Sequence, residues 1–66
     1  MNVIVNGESH EIANHATMAD LLAQLDMSGQ KLAVEINLDI VPRSTYSDHR
    51  LNDGDRIEIV RAIGGG

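Results

Sequence analysis

The chain has 66 residues, a formal charge of −5, 42% hydrophobic residues, a single aromatic residue (Tyr46) and no cysteine. A chain this short makes one small domain, residues 1–66, that buries only about 60% of its unfolded surface. Without cysteine, disulfides and thiolate metal sites are excluded. The basic residues Lys31, Arg43, Arg50, Arg56 and Arg61 are scattered, which argues against a phosphate-neutralising nucleic-acid surface, and the acidic net charge suits a basic protein partner.

No run approaches the ~20 apolar residues of a membrane span. Met1-Asn2-Val3-Ile4 lacks the basic start of a secretory signal, so a cytoplasmic address is expected. Asn2 to Val5 reads as a strand rich in β-branched residues. Asn6-Gly7 favours the positive backbone angles of a two-residue hairpin turn, and Glu8 to Ile12 is the expected return strand, polar enough for a sheet edge. After a loop, Thr17 with Asp20 three residues on gives a capping-box spacing. Met18, Leu21, Leu22 and Leu25 share one helical face, so a helix is expected from Thr17 to Leu25, with Ser28-Gly29 as its stop.

Leu32, Val34 and Ile36 alternate with Ala33 and Glu35, the pattern of a half-buried strand. Asn37-Leu38-Asp39 reads as a tight connection into a short strand, Ile40-Val41, closed by Pro42. Arg43 to Arg50 is polar and aperiodic, a loop with room for one short helical turn, and Leu51 is expected to anchor its end. Asp53-Gly54-Asp55 is a turn. The last strand runs from Arg56 to Ile63, with Ile57 and Ile59 on the inner face. The apolar stripe of the helix needs a covering surface, and the sheet face carrying Val3, Val5, Leu32, Val34, Ile36, Ile57 and Ile59 supplies it. The expected fold is therefore α+β, one helix across a mixed sheet of four to five strands.

The last strand leads directly into Gly64-Gly65-Gly66. Glycine takes backbone angles closed to other residues and is thin enough for a narrow channel. A terminal glycine run is usually a frayed tail, but one that follows a strand directly fits a tether presenting the Gly66 carboxylate. A carboxylate is ionised and a poor electrophile at neutral pH, so such a group needs activation by a partner. Other candidates read as structural. His10, His15 and His49 lack metal-ligand spacing, the aspartates around Gly54 suit a turn, and no nucleophile motif surrounds Ser44, Ser47, Asp48 and His49. Arg61 is either a solvated strand end or a partner contact. Val60 and Ala62 share the outer face of the last strand, and if that strand lies beside the first, Ile4 joins them in an exposed apolar patch suited to a protein contact.

The opening hairpin around Asn6-Gly7, the helix from Thr17 to Leu25 and the segments Val34-Glu35-Ile36-Asn37 and Ile40-Val41-Pro42-Arg43 form a specific combination. Together with Leu51-Asn52-Asp53-Gly54-Asp55-Arg56-Ile57 and the final Gly65-Gly66, they make the chain resemble the ubiquitin-like β-grasp sulfur carriers, on the thiamine-biosynthesis branch. The resemblance covers almost the whole chain. It implies a non-enzyme co-substrate with no bound cofactor. Its Gly66 carboxylate would be adenylated by a ubiquitin-activating-type adenylyltransferase using ATP. Sulfur from a cysteine desulfurase and persulfide relay would convert it to a thiocarboxylate, and thiazole synthase would take that sulfur. Gly65 and Gly64 would enter the partner's active site, although Gly64 departs from the family, where a non-glycine residue commonly stands. The small subunit of molybdopterin synthase, a ubiquitin-like protein modifier and a binding domain with an inert tail are the competing readings.

Overall fold

A computed structural model describes residues 1–61. The expected continuation of the last strand through Ala62 and Ile63, and the glycine tail 64–66, lie outside the described residues.

The elements are β1 (Asn2–Val5), β2 (Glu8–Glu11), α1 (Met18–Gln24), β3 (Leu32–Ile36), β4 (Asp39–Ile40), a 3₁₀ turn (Arg43–Thr45) and β5 (Arg56–Arg61). The strands form one five-stranded sheet in the order β2-β1-β5-β3-β4. The last strand in sequence is therefore central in space, parallel to β1 and antiparallel to β3. This is the expected α+β arrangement of one helix and a mixed sheet.

The helix starts as its sequence predicts. The Thr17 side chain accepts from the Asp20 backbone N–H at 3.2 Å, and the Asp20 carboxylate accepts from the Thr17 N–H at 2.9 Å. This reciprocal pair satisfies two of the otherwise orphaned donors. Its end differs from expectation. Asp26 adopts φ 59°, and the N–H groups of Asp26 and Met27 donate back to the carbonyls of Ala23 and Leu22. That is a Schellman closure, so the helix stops before Ser28-Gly29 is reached. Leu25 is the C-cap and only partly buried. Met18, Leu21 and Leu22 are buried, each contributing about 1.5–3 kcal/mol relative to exposure.

The core is aliphatic: Val3, Val5, Val34, Ile36, Ile57 and Ile59 from the sheet meet the helix, with Ile12, Ala16, Val41 and Leu51 closing its sides. Leu32 packs against it half-buried. Two strand boundaries shift by one residue. Ile12 leaves β2 and turns into the core, its N–H donating to the Met1 carbonyl at 2.8 Å. Val41 likewise leaves β4 for the core, while its neighbour Ile40 is 78% exposed. The cause is the tighter turn: Ile36 pairs with Asp39, so only Asn37 and Leu38 connect β3 to β4.

Candidate functional site

The residues of interest follow from where β5 leads. Held in the middle of the sheet, β5 precedes Gly64, Gly65 and Gly66 in sequence, and asparagine side chains hold it at its start and at Ile59. At its start, Asn37 donates its backbone N–H to the Arg56 carbonyl (2.8 Å), and its side-chain oxygen accepts from the Arg56 N–H (3.1 Å). The Asn37 amide also donates to the Asp55 carboxylate at 3.2 Å, and the other oxygen of that carboxylate accepts from the Asn52 N–H at 2.8 Å. Asp55 is buried and serves the turn, as the reading of Asp53-Gly54-Asp55 requires. Asp53 accepts from the Asn2 N–H at 2.8 Å and Gly54, at φ 85°, donates to the Asn2 carbonyl.

Toward the end of β5 the support changes hands. β1 pairs with β5 only at Ile4–Arg56 and Val5–Ile57, and the chain then turns at Asn6-Gly7. β3 continues beside β5 to the Leu32–Arg61 pair. On the vacated β1 side, the Asn6 side chain donates to the Ile59 carbonyl at 3.0 Å and accepts from the Ile59 N–H at 2.8 Å. Sequence reasoning assigned Asn6 and Asn37 to turns and missed these bonds. The only signal was an asparagine at the first position of both two-residue turns.

The expected outer patch is only partly assembled. Val60 is 60% exposed and faces the same way as its partner Ala33. Ile4 does lie on the neighbouring strand, but the parallel register sets it opposite Arg56, so Val60 is four positions further along β5. At about 3.3 Å per residue the two are some 13 Å apart along the strand, and Ile4 does not join Val60. Arg61 is exposed at the last described position. Ala62 lies outside the described residues, as do Gly64, Gly65 and Gly66. Among the described residues no group of His, Asp or Glu is placed to hold a metal ion, and no helix is long and apolar enough to cross a membrane. A hollow of about 410 Å³ lies beside the β3–β4 turn, lined in part by Asn37, Ile40, His49 and Asp55. It is at the start of β5, where Asp55 and Asn37 meet.

Comparison with known proteins agrees with this layout. The chain is 46% identical over 66 residues to a thiazole synthase of Paramagnetospirillum magneticum, covering all of this chain and 20% of that protein. It therefore spans about a fifth of the length of that relative. It is 36% identical to the sulfur carrier protein ThiS of Escherichia coli, with both chains covered completely. The crystal structure of the thiamine biosynthesis protein ThiS from Geobacter metallireducens superposes with a TM-score of 0.85 at 29% identity, again over the whole of both chains. The ThiS family model matches residues 3–66, glycines included. The family match over residues 3–66, the full-length identity to the Escherichia coli carrier and the shared fold place the chain in the ThiS family.

Proposed function

We propose that this chain is a sulfur carrier for the thiazole moiety of thiamine, and that its reactive atom is the carbonyl carbon of Gly66. The observation that carries the reading is the family match through residue 66, on a chain whose central strand leads to that end. The thiazole synthase relative favours the thiamine branch over the molybdopterin one and suggests thiazole synthase as the receiving partner.

In this reading the Gly66 carboxylate attacks the α-phosphorus of ATP on an adenylating enzyme, and pyrophosphate leaves. The acyl carbon now carries AMP as a leaving group. A persulfide supplied by a desulfurase relay attacks that carbon, and AMP departs with the bonding electrons. A second thiol then attacks the relay cysteine's own sulfur in the acyl disulfide, and the S–S bond breaks to leave a terminal thiocarboxylate on the carrier and a disulfide on the relay. The carrier contributes no acid, base or bound cofactor; ATP belongs to the partner. Its part is to deliver a slim terminus, for which Gly65 and Gly64 leave the most room. Dependence on ATP and on a reducing relay suits a cytoplasmic address. Val60 and Arg61, exposed beside the tail's origin, are the proposed partner contacts, with Ala62 next in sequence.

The test is the intact mass after incubation with ATP, the adenylating enzyme and a sulfur donor. The expected product has one terminal oxygen replaced by sulfur, and it supports thiazole formation when thiazole synthase is added. A chain with one residue appended after Gly66 should give neither. Loss of that distinction, or an unchanged mass with active partners, would overturn the reading. Val60→Asp should raise the KM of adenylation severalfold while the fold persists, because a charge replaces apolar contact surface.

A further inference from the structure

We propose that Asn6 is a positioning residue for the reactive terminus, acting through Ile59; the inference rests on the carrier function proposed above. In a paired strand, every second residue turns its N–H and C=O toward the same neighbour. On β5 the Ile57 carbonyl accepts from the Asn6 backbone N–H at 2.8 Å, so Ile57 faces β1, and Ile59 is the next residue to do so. There β1 has already ended, because Asn6 (φ 49°) and Gly7 (φ 86°) reverse the chain into β2. The Asn6 side chain fills the gap. Its carboxamide presents one acceptor and one donor, as a strand residue does, and takes both polar groups of Ile59 at 2.8 and 3.0 Å. One asparagine thus extends the β1 side of the ladder by a residue without extending β1.

The consequence bears on the terminus. Arg61 is two positions beyond Ile59 and keeps its β3 partner, Leu32. Whatever path residues 62–66 take, it starts from Arg61. With Asn6 holding Ile59 on the β1 side and β3 paired along the other edge of β5, that starting point is fixed relative to the sheet. With the β1 side released, β5 can swing about its β3 pairing. Small displacements of a reacting group are costly in rate, and here the group is carried by residues that follow directly.

Asn6→Gly isolates this role. Glycine suits the positive φ of the turn and removes only the carboxamide. Asn6→Asp keeps an acceptor for the Ile59 N–H and loses the donor to its carbonyl. Val41→Ala, in the core and outside the Asn6–Ile59 contact, serves as a control for general destabilisation. Amide hydrogen exchange of Ile59 is measured beside that of Val34, together with kcat and KM for ATP-dependent pyrophosphate release by the adenylating enzyme. For Asn6→Gly, Ile59 exchange should rise at least about tenfold with Val34 little changed, and kcat should fall about tenfold with KM within about twofold. Asn6→Asp should lie between this variant and the parent, and Val41→Ala should keep its kcat despite a lower Tm. A parental kcat in Asn6→Gly, or a loss no larger than that of Val41→Ala, overturns the inference, as does unchanged Ile59 exchange. Absence of pyrophosphate release from the parent chain instead overturns the carrier reading.

Discussion

The molecule has two tight turns of the same design and different quality. Asn6-Gly7 joins β1 to β2 and Asn37-Leu38 joins β3 to β4. All four residues have positive φ: 49° and 86° in the first turn, 50° and 76° in the second. Each turn is led by an asparagine whose side chain grips β5, one near its end and one at its start. The difference lies in the second position. Gly7 takes its angle without strain, whereas Leu38 holds a branched side chain at a positive φ, 88% exposed. Two jobs are therefore separable in these turns: reversing the chain, which needs the right φ, and holding β5, which needs the carboxamide.

The heaviest blow to the β5 start should come from Asp55→Ala. It strips the acceptor from the Asn37 amide and the Asn52 N–H in a buried setting. A lost pair of charge-assisted bonds costs about 3 kcal/mol, to be read as a drop in urea midpoint with unchanged m-value. Asn37→Ala should come next, at about 2 kcal/mol, because it removes the bonds to Asp55 and Arg56 and places alanine at φ 50°. Asn37→Gly should recover part of that loss, since it restores the angle but not the bonds. Equal stability of the two variants would show that the positive φ costs alanine nothing here, and parental stability of Asn37→Gly would show that the side-chain grip contributes nothing. Gly7→Ala is a cleaner test of the turn alone. An added Cβ at Gly7 meets no atom within 4 Å, so the expected cost of about 1 kcal/mol is conformational. Chemical denaturation checks it, and a larger loss would point to a contact formed elsewhere.

These comparisons also show what could be read in advance. The helix was legible because its periodicity and its capping pair are local, within one turn of chain. Its stop was not, because an aspartate at φ 59° competed with a glycine three residues later that looked like the better breaker. The inner face of the sheet was legible from alternation. The register was not, since pairing of Ile4 with Arg56 is fixed by the whole chain between them. That is why the outer patch expected from Ile4 and Val60 is split. For the site, the proposal of Gly66 rests on the family's pattern, and the residue lies outside the described ones. The asparagine grips on Ile59 and Arg56 span large sequence separations and leave no periodic trace. Both asparagines satisfied a turn rule, which hid their second use.

The smallest expected effect is the most informative about Leu38. Left-handed backbone costs a residue with a Cβ about 1–2 kcal/mol, and a nearly fully exposed side chain gains little burial to offset it. Leu38→Gly removes the strain but adds freedom to the unfolded chain, at a cost of about 0.4–1 kcal/mol. The net gain should be about 0.5 kcal/mol, or roughly 3 °C in Tm for a domain of this size. Asn37 keeps its bonds in that variant, so the gain should appear in thermal melts without any change in the exchange of the Arg56 amide. A stability loss would mean that the Leu38 side chain makes contacts in solution worth more than the strain. An unchanged Tm would mean that the turn relaxes at Leu38. In the second case φ at Leu38, and with it the likeness of the two turns, would need revision.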